Sequence, residues 1–197
     1  MPRLTQYGDD LLLAVELLTN STPDDALGLI KKISKGSRGE FGVEPKAFFS
    51  NSDFIHKLLN IGTKYVSDEK IVEEVLLTLS LIVKRCDIKP QNIYDFLFAH
   101  IGTPNKKCQR HIAYALPFFP QFDEYEKKWE YILSIPKIPP KKDMISVFRW
   151  VIEHNEPNIP DHIKGLVISI LENFINSNTL VSTTHNLYAV LIDKLKA

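Results

Sequence analysis

Cysteine is scarce in this chain: Cys86 and Cys108 are the only two in 197 residues. Two thiols cannot form the dense disulfide framework that staples small secreted folds. Both fall within apolar helical patterns, so buried, reduced thiols are expected, and with them an intracellular setting, cytoplasmic or nuclear. Net charge is missing as well, because 24 basic residues balance 24 acidic ones. That balance weighs against a dedicated, non-specific nucleic-acid binder, although it leaves room for a local basic patch. Long apolar runs are absent too. The longest, Val75–Val83, holds Thr78 and Ser80 and falls far short of the ~20 residues a membrane span needs. Leu11–Leu18 follows two aspartates and contains Glu16, which is unlike a signal peptide. No membrane partner is expected.

Glycine is sparse, with eight residues, three of them in the segment 36–42. That segment lacks the Gly-Lys-Ser/Thr ending of a phosphate loop and follows no strand, so it reads as a surface loop. The six histidines, His56, His100, His111, His154, His162 and His185, include no His-x-x-x-His pair. No metal site and no cofactor are expected. No nucleophile motif marks an active site, and His111 reads as a structural histidine near the core.

What the sequence does have is helical periodicity, with almost no strand-like alternation. Apolar spacing predicts helices over Gln6–Asn20, Thr22–Lys35, Asp53–Val66, Asp68–Arg85, Gln91–Gly102, Asn105–Phe119, Glu124–Ile135, Lys141–Asn155, Asp161–Asn176 and Thr183–Ala197. Thr22-Pro23-Asp24-Asp25 is a strong start signal, with Thr22 as cap, Pro23 in the first turn and Asp25 three residues on. Gly36 is the expected stop of that helix. Pro90, Pro104, Pro140 and Pro160 mark helix starts, whereas Pro117 should kink or shorten the helix it falls in.

Shifted by forty residues, the chain partly matches itself. Ile61-Gly62-Thr63 returns as Ile101-Gly102-Thr103, and Val72, Val75, Leu76 and Leu79 fall on Ile112, Ala115, Leu116 and Phe119. Two further helix pairs follow, with Trp129, Ile132 and Leu133 before Met144, Val147, Phe148 and Val151, then Ile163, Val167, Ile170 and Leu171 before Leu187, Val190, Leu191 and Leu195. Helix pairs spaced about 40 residues apart resemble the HEAT and armadillo repeats. That resemblance covers residues 51–197 and rests on periodicity, not on a strict consensus motif. It implies an all-α, right-handed α-solenoid of about ten helices in one domain, 1–197. Residues 1–50 would form a divergent N-terminal cap and 51–197 about four helix pairs. An irregular bundle, or a superhelical adaptor domain of the VHS or ENTH type, is the competing architecture.

In HEAT and armadillo proteins the second helix of each pair generally lines the ligand-binding side. By that resemblance, the candidate partner-binding residues are Lys106, Lys107, Arg110 and Tyr114 after Pro104, and Lys142, Arg149 and Trp150 after Pro140. Lys106, Lys107, Lys141 and Lys142 all stand in first helical turns, where the helix dipole disfavours cations. Such a broken local rule, repeated at equivalent places, hints at an anionic ligand, and a merely solvated lysine surface is the plain alternative. Trp129, Trp150 and the run Phe118–Phe122 can be read either as interface anchors or as inter-helix packing.

Together these features point to a non-catalytic scaffold or adaptor that binds an acidic or extended peptide of a protein partner. Two alternatives stand beside it. One is a nucleic-acid-binding HEAT-like protein, with a glycosylase-like form, for which Trp150 with Glu153 is the only sequence-near pair on offer. The other is a structural subunit or homodimer that uses the apolar stripe of the last helix.

Overall fold

The computed structural model describes residues 2–38, 45–50 and 52–197. The described residues form eleven α-helices joined by short 3-10 turns, with no strand. These are α1 (Pro2–Leu18), α2 (Pro23–Ser37), α3 (Pro45–Phe49), α4 (Ser52–Lys64), α5 (Glu69–Cys86), α6 (Gln91–Ala99), α7 (Lys106–Ala115), α8 (Lys128–Ser134), α9 (Lys141–Asn155), α10 (Asp161–Asn176) and α11 (Ser182–Lys196). The all-helical expectation holds, and each of the ten predicted helices has its counterpart. None of them is long and apolar enough to cross a membrane. By contact the chain divides into two compact units, Met1–Phe119 and Pro120–Ala197.

Within the first unit, α5 is the hub. Asp68 caps it, its carboxylate accepting from the Lys70 and Ile71 amides at 3.0 and 3.2 Å. Eleven of its eighteen residues are buried, far more than the one apolar stripe of a surface helix. It therefore has neighbours on several sides: α2, α3, α4 and α7. α1 packs on α2 and α4, and α4 packs on α6. The contacts thus run in two rows, α1–α4–α6 and α2–α5–α7. Two long-range bonds tie their ends. The Tyr65 hydroxyl donates to the Ser21 carbonyl at 2.7 Å, and Arg85 donates to the Arg38 carbonyl at 3.0 Å.

Several helix ends differ from the sequence expectation for identifiable reasons. Gly36 does not stop α2. It lies inside the helix, buried, where a Cβ would come within 2.8 Å of a Leu11 methyl. It is a close-packing glycine, and residues 39–42 of the segment predicted as a loop lie outside the described residues. α5 ends instead at Asp87, in the left-handed conformation at φ 56°; Asp is one of the few non-glycine residues that adopt it readily. α7 stops at Ala115, before Phe119, because Pro117 lacks an amide hydrogen and tightens Leu116–Phe118 into a 3-10 turn. α3 has no predicted counterpart. Its Phe49 is fully buried and packs on Phe54 with ring centroids 5.1 Å apart.

In the second unit α8 packs on α9, α9 on α10, and α10 on α11. Tyr188 of α11 is 2% exposed, its ring 5.1 Å from that of Phe174. Lys194 and Lys196 pair with Glu156 and Glu172 at 2.6 and 2.7 Å. Near the start of the unit, the buried ammonium of Lys128 reaches the Asp123 carboxylate at 2.6 Å.

Candidate partner-binding surface

The predicted residues of α7 are placed by its N-cap. The Asn105 side-chain oxygen accepts from the Lys107 and Cys108 amides at 2.9 and 3.3 Å, so Lys106 and Lys107 occupy the first turn. Both are exposed, and Arg110 and Tyr114 are half-buried. Cys108, His111, Ile112 and Ala115 face the core. Lys106 donates to the Gln109 side chain at 3.3 Å. Lys107 pairs with Glu73 of α5 at 3.1 Å, which offsets part of its unfavourable position on the helix dipole. An exposed pair of this kind is worth only about 0.2–1 kcal/mol.

The cations of this region come from more than α7. Burial raises the Glu74 carboxyl of α5 above its ordinary range, and Glu73 adds to that shift. Lys31 of α2, Arg38 at its end and Lys107 of α7 act against it. Two helices, α2 and α7, therefore bring positive charge around one half-buried carboxylate. Sequence reasoning picked out Lys107 but missed Lys31 and Arg38. They belong to a helix assigned to the N-terminal cap, and no periodicity in one helix reports its neighbour. Thr78 is fully buried, and its hydroxyl donates to the Glu74 carbonyl at 2.8 Å.

Beneath this face the same charges act on buried groups. Burial, and then Arg110 and Lys107, lower the His111 pKa to about 4. Burial, and then Glu73 and Glu69, push the Cys108 thiol up to about 11. At pH 7 His111 is therefore neutral and the Cys108 thiol protonated. Cys86 is buried as well.

The second unit treats its predicted residues differently. Lys142 stands exposed in the first turn of α9. Arg149 is held within the unit. It is ion-paired with Glu153, and its guanidinium lies 5.7 Å from the Tyr188 ring centroid and 6.0 Å from that of Trp150. Ser146 meets the Tyr188 hydroxyl at 3.3 Å. Tyr188 of α11 thus meets Ser146 and Arg149 of α9, and Trp150 is half-buried. Trp129 is half-buried under Lys128, whose ammonium lies 5.0 Å from its ring. Phe118, Phe119 and Phe122 are buried, which makes that run packing and not a docking loop.

Among the described residues no group of three or more His, Cys, Asp or Glu side chains is placed to hold a metal ion. Set against known protein families, curated proteins and solved structures, the chain matches none.

Proposed function

We propose that the chain is a non-catalytic interaction scaffold, built as an α-solenoid of HEAT- or armadillo-like helix pairs, whose α2–α5–α7 row binds an acidic or extended segment of a protein partner. The observation that carries this reading is Lys107 of α7, exposed and paired across to Glu73 of α5 at 3.1 Å, with Lys31 of α2 and Arg38 at its end acting alongside it on the neighbouring Glu74 carboxylate. Lys106, Arg110 and Tyr114 extend the same side of α7. The two-row packing of the first unit supports the solenoid half of the reading, since second helices stacked side by side form one continuous ligand-facing layer. An extended acidic segment suits such a layer because its carboxylates can exchange with Glu73 and Glu74 for the same cations.

The test is co-purification from source-cell lysate with wild type and with a Lys107→Glu, Arg110→Glu variant. A protein recovered by the wild type and lost by the variant supports the scaffold. Identical material with both would reduce the basic side chains to a solvated surface. Recovery of nucleic acid, released steeply by salt, would move the chain into the other binding class.

A further inference from the structure

A second surface of the first unit has the opposite character. Between α1 and α2 lies a groove of about 550 Å³, whose lining includes Glu16, Leu17, Asp24, Asp25, Gly28 and Leu29. Its charged lining residues are all acidic. On α1 the side chains of Leu12, Leu13 and Leu17 are 51, 50 and 52% exposed. Three half-exposed leucines within six residues form an apolar strip that the described fold leaves uncovered.

Gly28 supplies an independent sign. It stands inside α2, where glycine costs about 1 kcal/mol relative to alanine. Gly36 of the same helix has an internal reason to be glycine, its contact with Leu11. Gly28 has none, since a Cβ there would meet nothing within 4 Å. Glycine without an internal reason suits a place where another chain must approach the backbone closely. Gly165 of α10 is bare in the same way, so bareness alone is not the argument. At Gly28 the bare backbone lines a groove.

We propose that this groove receives an amphipathic helix of a partner protein rich in lysine or arginine. Its apolar stripe would lie on Leu17 and Leu29 with closest approach at Gly28, and its basic flanks would meet Glu16, Asp24 and Asp25. Asp24 and Asp25 also favour the first turn of α2, so Glu16 and Gly28 are the discriminating positions. The surface is separate from the basic side chains of α7 and takes a ligand of opposite charge.

The test uses the full chain and a labelled eighteen-residue helical peptide with leucine on one face and lysine on the other, followed by fluorescence anisotropy. An isomer with glutamate in place of lysine is the control. The lysine peptide is expected to bind and the glutamate peptide not to. Gly28→Leu fills the groove with a better helix former, so its thermal midpoint should be no lower than wild type while affinity falls at least about tenfold. Glu16→Lys, on an exposed helix face, should weaken binding similarly. Lys107→Glu should leave this binding unchanged, which separates it from the acidic-ligand reading. Failure of the lysine peptide to bind, equal binding of both peptides, or undiminished binding to a folded Gly28→Leu chain would each overturn the proposal.

Discussion

His111 shares a helix with the proposed binding side chains but faces the core, and its protonation follows from that placement. Its folded pKa of about 4 lies below the unfolded 6.5, so the unfolded chain takes up the proton first. The stabilisation from neutral His111 is therefore complete above about pH 6.5 and is lost as pH falls toward 4. Urea unfolding at pH 7 and pH 5 should show wild type losing stability relative to His111→Gln, which has no proton to gain. Equal losses in both would place the effect on carboxylates. Lys107 behaves differently, because its pair with Glu73 is mostly in solvent on the lysine side. Lys107→Glu should cost no more than about 1 kcal/mol in the same experiment. Any loss of partner binding it causes would then report on the surface and not on folding.

At the scale of single elements, caps and close contacts decide how well each helix is fixed. Thr22 accepts from the Asp25 amide at 3.3 Å and donates its hydroxyl proton to the Asp25 carboxylate at 2.6 Å. Thr22→Ala and Asn105→Ala should each lower stability by about 1 kcal/mol, measured by chemical denaturation. Gly62 is held more tightly: a Cβ there would lie 2.7 Å from the Phe96 ring of α6 and 3.1 Å from Val75 of α5. Gly62→Ala should cost about 1–3 kcal/mol by overpacking; an unchanged unfolding midpoint would contradict that contact. The same residue shows what a sequence echo does and does not carry. Ile61-Gly62-Thr63 lies inside α4, but Ile101-Gly102-Thr103 follows the end of α6, and a Cβ on Gly102 would meet nothing within 4 Å. The apolar positions of the next helix do correspond, since Val72, Val75, Leu76, Leu79, Ile112, Ala115, Leu116 and Phe119 are all buried. Periodicity records burial, so helix existence was legible. It does not record which neighbour does the burying. The covering of Arg149 and Ser146 by Tyr188 was therefore invisible, as was the short helix α3, whose five residues carry barely one period.

At the scale of the whole molecule, the two compact units differ in how they use their predicted cations. In the first, α5 is buried along most of its length, and its amides should be the slowest to exchange with solvent among residues 1–119. The basic side chains border this hub, so a charge-reversed surface should leave that exchange pattern intact. In the second unit, Lys142 remains exposed while Arg149 is engaged by Glu153 and Tyr188. The binding account therefore rests chiefly on α7 and the helices beside it. It is tested most directly by titrating a labelled aspartate- and glutamate-rich peptide onto the full chain, in wild type and in a Lys107→Glu, Arg110→Glu variant with an unchanged circular dichroism spectrum. The account predicts saturable binding to wild type and a loss of at least about tenfold in the variant. Equal affinity in the two proteins would contradict it.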